Sequence, residues 1–374
     1  TIANVDAIHP GIGMLSENSS FAKIVNDHGF NFIGPHYNHI EKMSNKVKAK
    51  SFAKELGLPI IPGSKKSIKS LAEAKNIAKE IGYPILVKAS NGGGGRGIKK
   101  VFEERELKDN FLLAKKEATQ SFGNSDVYIE KLIENPRHIE VQILGDQNGN
   151  LIHIGERECS IQRRNQKIIE ECPSPALNDM TREKVCELTL NAFKNAGYKS
   201  LGTVEYLYSN GEFFFIEMNT RLQVEHTVTE EVFNLDIVKE QINVASGQNL
   251  SISQKELKKT CHSIECRINA ENPITLFPST GLVKTYHPPG GPGIRIDSLL
   301  YSGCSVTSFY DGLIDKIISK GKDRDECIMR LKRALDEYVI EGIDTNIQVL
   351  KEILNHKNFR EAKFDIGWYD QLIS

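Results

Sequence analysis

The chain has no Cys-x-x-Cys pair, no apolar run of membrane-spanning length and no excess of either charge. Its seven cysteines, at 159, 172, 186, 261, 266, 304 and 327, are odd in number and scattered. That spacing fits neither a disulfide framework nor a structural zinc site, and it suits a reducing compartment. Without a bilayer-length apolar segment or a recognisable secretory leader, the expected location is the cytoplasm. Lysine and arginine total 48 against 49 acidic residues, a formal net charge of −1. Nucleic acid and anionic membrane are therefore not the expected partners. The short basic run Lys46-Val-Lys-Ala-Lys50 reads as a solvated helix face. An initiating methionine is also lacking, and the opening residues read as the middle of an α/β unit, so part of an N-terminal domain is expected to be missing.

What is present is enough chain for a large core: 374 residues, which predicts two or three domains. Residues 6–13 read as a strand end running into a Pro/Gly turn, followed by a helix over 18–28 and a short strand over 30–35. This alternation suggests the tail of an open α/β layer. A helix over 45–56 leads through an extended linker to a compact α+β module. The module holds helices over 70–81 and 104–119 and strands near 83–88, 99–102 and 127–131. From about 132 the pattern changes to long antiparallel runs, 138–144, 151–155 and the pair flanking Ser209-Asn-Gly211, with helices over 181–196 and 236–246.

Three stretches carry chemistry. Residues 217–229, Glu-Met-Asn-Thr-Arg-Leu-Gln-Val-Glu-His-Thr-Val-Thr, follow the apolar strand Phe213-Phe-Phe-Ile216. Alternation puts Glu217, Asn219 and Arg221 on one side of the sheet at the outset. Hard oxygen ligands beside a guanidinium suit a divalent cation, a phosphate and an anionic substrate. Lys88 precedes Ala-Ser-Asn-Gly-Gly-Gly-Gly-Arg-Gly97, in which glycines let backbone N–H groups approach phosphate oxygens. This is neither the Walker nor the Rossmann pattern. Residues 127–133 offer a strand edge for an adenine ring. Residues 157–167, with four cations, read equally as a solvated basic loop or as an anion-binding wall.

The paired carboxylates Glu205 and Glu217 set a geometric condition. A two-residue Asn-Gly hairpin pairs Glu205 with Ile216 and puts the carboxylates on opposite faces. A shared metal therefore predicts a three-residue connection, Ser209-Asn-Gly211, that pairs Glu205 with Phe215.

Taken together, Ile8-His-Pro-Gly-Ile-Gly13, the stretch 88–97, Glu134-Asn-Pro-Arg-His-Ile-Glu-Val-Gln142, Gln162-Arg-Arg-Asn-Gln-Lys167, Glu217–His226 and Glu265-Cys-Arg-Ile-Asn-Ala270 closely resemble the biotin carboxylases of the ATP-grasp superfamily. The resemblance spans essentially the whole chain. It implies an α+β ATP-grasp fold with a remnant N-terminal α/β domain (1–43), a linker helix (44–59), a mobile lid (60–132) and a large catalytic and C-terminal domain (133–374) built on antiparallel sheet. It implies that Lys46, Lys88, Gly94, Gly95, Glu130, Lys131, Leu132, Ile133 and His138 bind ATP, with Asn165 near the nucleotide. It implies Mg²⁺ (or Mn²⁺) on Glu205, Glu217 and Asn219. Lys167, Arg221, Gln223 and Val224 correspond to the bicarbonate site, Glu225 to the general base, and Arg267 to the residue that holds bicarbonate and the biotin ureido oxygen.

Two departures stand out. The family's aromatics in His-Pro-Gly-Tyr-Gly-Phe are replaced here by Ile12 and Met14, and its His in Gln-Arg-Arg-His-Gln-Lys by Asn165. Asparagine can hydrogen-bond ribose or phosphate but carries no charge, which predicts altered ATP contacts. The resemblance further implies carrier-borne biotin as substrate, a biotin carboxyl carrier protein and carboxyltransferase subunits as partners, and a homodimer. No Met-Lys dipeptide is present, so the biotin is expected on a separate chain, most simply within an acetyl-CoA carboxylase serving fatty acid synthesis. Two other readings remain at this point: a different ATP-grasp ligase that traps an acylphosphate with an amine, and a truncated nucleotide-binding remnant without turnover.

Overall fold

The computed structural model describes residues 4–64, 66–89, 98–123 and 125–373. The chain divides into two compact units, Thr1–His153 with Glu183–Gln223 and Val238–Ser251, and Ile154–Arg182 with Val224–Ile237 and Ile252–Ser374. Among the described residues no helix is long and apolar enough to cross a membrane.

In the first unit the expected strand–helix–strand opening is present. The short strands Ala7–Ile8 and Asn31–Phe32 pair in parallel, with helix Ser19–Asp27 between them in sequence. That helix starts where it does because the Asn18 side chain accepts the N–H of Phe21, satisfying a donor the first turn leaves free. Its Ala22 and Val25 pack with Phe32 and Ile40. Helix Lys46–Glu55 is capped the same way, Asn45 accepting from Val47 and Lys48.

The α+β module is a three-stranded antiparallel sheet in the order Ile98–Val101, Ile85–Ala89, Val127–Lys131. Ile85, Val87 and Ala89 alternate into a core shared with Ala74 and Ala78 of helix Leu71–Ile81 and with Leu107 and Phe111 of helix Glu104–Phe122. Strand Val127–Lys131 is less of an edge than expected. The extended segment around Gly63 and Ile68 bridges to it, and the N–H groups of Lys131 and Leu132 donate to the carbonyls of Pro62 and Pro84.

Three longer strands complete the first unit: Ser200–Ser209 lies between Arg137–Gly145 and Glu212–Asn219, antiparallel to both. The predicted three-residue connection does not occur. Ser209 pairs with Glu212 across a two-residue turn, with Asn210 at φ 51° and Gly211 at φ 84°. This is the left-handed pair that an Asn-Gly hairpin favours. Parity is changed further along, by a bulge. Phe215 pairs with Tyr206 and Glu217 with Glu205, so Ile216 is left without a partner in the ladder.

In the second unit, strands Leu151–Arg163 (from Ile154), Gln166–Cys172, His262–Asn269, Leu313–Gly321 and Ile294–Ser298 are successive antiparallel neighbours. Ile169, Ile264, Ile268 and Ile317 face a core closed by Leu331 and Leu335 of helix Arg324–Glu337 and Leu350 and Leu354 of helix Ile347–Asn355. Residues 157–167 are not a solvated loop. Up to Arg163 they are buried strand, and Arg157, fully enclosed, donates to the Thr229 hydroxyl at 3.0 Å. Arg163 makes a two-pronged pair with Glu271 at 2.8 and 2.5 Å. Only Arg164 and Asn165 form a turn, at φ 49° and 64°.

Candidate active site

The first unit carries a row of three carboxylates. Glu140 pairs with Glu205, and Glu205 in turn with Glu217, so the three lie side by side across adjacent strands. Cross-strand partners share a face, and like charges placed so repel unless a cation or hydrogen-bond donors lie among them. Donors are supplied. Glu205 accepts from His138 Nε2 at 2.9 Å, Asn219 Nδ2 at 2.7 Å and Gln223 Nε2 at 2.8 Å. Glu217, partly exposed, faces the Lys46 ammonium at 3.3 Å. Ligand atoms of His138, Glu140 and Glu205 all lie within 4.8 Å of one another. A set of carboxylates beside an amide fits a hard divalent cation such as Mg²⁺. Arg221 is fixed by Glu17 at 3.0 Å and by the Asn219 amide oxygen at 3.1 Å.

A second group in this unit centres on Glu130, at the end of strand Val127–Lys131. Its buried carboxylate accepts from Lys50 and Lys88, each at 2.7 Å. Burial alone pushes this carboxyl up, but the two ammonium groups outweigh it and bring it down to about 2. Lys88 is thereby held at the end of its strand, 18% exposed. The basic run from Lys46 is thus not a simple solvated face, since Lys46 and Lys50 both turn toward carboxylates. Lys131 donates to the carbonyls of Gly82 and Tyr83, and Leu132 and Ile133 are half-buried. Gly94 and Gly95 lie outside the described residues.

In the second unit Glu225 is buried between two cations, accepting from Lys167 Nζ at 2.7 Å and Arg267 Nη2 at 3.0 Å. Burial works against its charge, yet Lys167, Arg267 and Arg157 together hold it far below the usual carboxylate range. Arg267 reaches from strand His262–Asn269 and also donates through Nε to Glu170 at 2.6 Å. The Val224 carbonyl accepts from Lys316 at 2.8 Å. Asn165, exposed in its turn, is the type of residue that the left-handed conformation there accepts with little strain.

The structure therefore brings the expected residues into three groups: His138, Glu205, Glu217, Asn219, Arg221, Gln223 and Lys46; Glu130 with Lys88; and Lys167, Glu225 and Arg267. Sequence reasoning missed Glu140, Glu17, Lys50 and Glu170. Glu140 was legible, because it stands two residues after His138 on a strand and so on the same face. The other three reach their respective groups through tertiary contacts alone.

Comparison with known proteins gives the family. Residues 1–40 match the family described as biotin carboxylase, N-terminal domain, and residues 265–371 match the biotin carboxylase C-terminal domain. Between them, residues 45–253 match the carbamoyl-phosphate synthase L chain, ATP binding domain. The chain is 47% identical over 371 residues to the biotin carboxylase of Pseudomonas aeruginosa, covering 99% of this chain and 83% of that one. It is 48% identical over 368 residues to the small subunit of the 2-oxoglutarate carboxylase of Hydrogenobacter thermophilus, covering 98% of this chain and 78% of the relative. Among solved structures, the biotin carboxylase domain dimer of Hydrogenobacter thermophilus 2-oxoglutarate carboxylase, in complex with MgADP, ADP and bicarbonate, superimposes with a TM-score of 0.95. Its identity is 47%, and the match covers 99% of this chain and 82% of that one. The fold is that of an ATP-grasp enzyme, an ATP-dependent ligase. The chain belongs to the biotin carboxylase family.

Proposed function

We propose that the chain carboxylates biotin on a carrier protein, using ATP and bicarbonate through carboxyphosphate. The observation that carries this reading is Glu225 enclosed between Lys167 and Arg267. A carboxylate so paired is a poor base. When bicarbonate enters, the two cations turn to the new anion, and Glu225 regains the basicity to take its proton. Arg221 and Gln223 help hold bicarbonate for attack on the γ-phosphorus, giving carboxyphosphate and ADP. Carboxyphosphate then breaks into CO₂ and phosphate. Biotin N1′ gives its proton to the released phosphate and attacks CO₂, while Arg267 stabilises the negative charge that develops on the ureido oxygen.

ATP is bound by Lys46, Lys88, Gly94, Gly95, Glu130–Ile133 and His138, with Asn165 close to the nucleotide. Glu205, Glu217 and Asn219 would hold Mg²⁺, and the crowding of Glu140 beside Glu205 supports a cation there. The metal supplies charge neutralisation during phosphoryl transfer. Residues 60–132 serve as the lid, 1–43 as the rest of the N-terminal domain, and 133–374 as the catalytic and C-terminal part. The working form is a homodimer, as in the Hydrogenobacter structure. The final acceptor we assign to an acetyl-CoA carboxylase, with separate carrier and carboxyltransferase subunits. Relatives that serve pyruvate and 2-oxoglutarate carboxylases make the carrier the deciding partner.

The test is ATP hydrolysis with and without bicarbonate, and labelled carboxybiotin formation from free biotin. Bicarbonate-dependent hydrolysis with labelled product supports the assignment; hydrolysis indifferent to bicarbonate, with no carboxybiotin, sinks it. Co-purification of the native carrier then identifies the acceptor.

A further inference from the structure

Arg267 does not face Glu225 alone. Its Nε and Nη2 both converge on one oxygen of Glu170, leaving the other carboxylate oxygen, Oε2, buried without a hydrogen-bond partner. Directly across the ladder from Glu170 stands Glu265, two residues before Arg267 on the neighbouring strand. Glu265 is equally enclosed. One of its oxygens accepts from the Thr227 hydroxyl, with the Lys316 ammonium 3.7 Å away, and the other, Oε1, is buried and likewise unpartnered. Two fully buried carboxyl groups on cross-strand positions, each with one orphan oxygen, are an improbable pair of anions. One proton on the pair removes a like-charge repulsion and turns one orphan acceptor into a donor.

We propose that Glu170 and Glu265 share one proton at neutral pH and that this carboxyl pair is the positioning element for Arg267, a role that rests on the biotin carboxylase reading above. With the pair singly protonated, Arg267 keeps charge to spend on bicarbonate and the ureido oxygen. With both ionised, Arg267 is surrounded by Glu170, Glu225 and Glu265, and its attraction for a further anion falls. The surroundings agree with one proton. Burial pushes both Glu170 and Glu265 upward, each reinforced by the other carboxylates of the cluster, against the opposing pull of Arg267 and, for Glu265, Lys316. Of the other titratable groups near the pair, Glu225 is already matched by Lys167, and the Cys266 thiol, turned to the opposite sheet face among core residues, is kept neutral by burial. No co-reactant is needed: the pair exchanges a proton with solvent and takes no part in bond making.

Glu170→Gln imitates the protonated carboxyl. It should keep biotin-dependent kcat within about threefold of the parent enzyme near pH 7, whereas Glu170→Ala should lose at least about tenfold by freeing Arg267. The parent enzyme should lose activity as pH rises through the pair's titration, and Glu170→Gln should flatten that alkaline limb. Infrared difference spectra should show the stretch of one protonated carboxyl group near neutral pH, absent in Glu170→Gln, a readout independent of turnover. Glu170→Gln as damaging as Glu170→Ala, an unchanged alkaline limb, or no protonated-carboxyl band would each overturn the proposal. An active parent enzyme with any of those results rejects the shared proton alone; an inactive parent that still shows the band rejects the functional reading instead.

Discussion

Glu217 stands opposite Glu205 because the ladder skips Ile216. Without the bulge, the observed two-residue hairpin would set Ile216 against Glu205 and turn Glu217 to the other face. Parity is thus set by an extra residue inside the strand and not by the length of the turn.

The first prediction follows from that pairing. Glu205→Gln and Glu217→Gln should each lower bicarbonate-dependent turnover by at least about 100-fold, and the double variant should be little worse than either single one. Steady-state rates across a magnesium titration check this. Fully multiplicative losses in the double variant would mean that the two carboxylates do not serve one ion.

Glu130 predicts a pH effect on stability. Its carboxyl is lowered to about 2 in the fold, so its contribution is complete above the ordinary value of 4.5 and is lost as pH falls from there toward 2. Glu130→Gln should cost about 3 kcal/mol near neutral pH by leaving Lys50 and Lys88 without their counter-ion. It should also flatten the acid limb of stability between about pH 5 and pH 2. Urea unfolding at a series of pH values reads both, and a parallel downward shift at every pH would remove the electrostatic explanation.

Arg267 and Glu225 should separate the two half-steps. Arg267→Ala is expected to lower biotin carboxylation at least about tenfold more than biotin-independent ATP hydrolysis, since its charge acts mainly after carboxyphosphate forms. Glu225→Gln should depress both activities together, because bicarbonate then lacks its base. Equal losses for Arg267→Ala would confine that residue to holding bicarbonate.

Asn165 offers a milder test. Histidine also tolerates the left-handed conformation, so Asn165→His should leave stability within about 0.5 kcal/mol. It should lower the KM for ATP by restoring an imidazole near the nucleotide. An unchanged KM would place the side chain away from the nucleotide. Asn165→Val, strained at φ 64°, should destabilise by about 1–2 kcal/mol without a matching change in KM.

Much of this protein is local and so was legible. Helix starts at Asn18, Asn45 and Ser70 are caps that answer to a few neighbouring residues. Strand Ile85–Ala89 follows from alternation. The turn at Asn210-Gly211 obeys the left-handed preference of that dipeptide, against the three-residue connection expected from a shared metal. The motif residues carried the family resemblance, since glutamate, asparagine and arginine at alternate positions have few other uses beside a buried strand. What tertiary structure decided is register and enclosure. Which residue a ladder skips depends on the packing of both strands at once, so the bulge at Ile216 could not be read from either. The row Glu140–Glu205–Glu217 and the pair Glu170–Glu265 arise from segments far apart in sequence that meet only across a sheet. Arg157 shows the same limit: a run rich in cations reads equally as solvated loop or anion-binding wall until the strands around it close and leave the guanidinium no exposure at all. Charge is written in the sequence, but its environment is made by the fold, and the environment sets whether a carboxylate pairs, titrates or binds an ion.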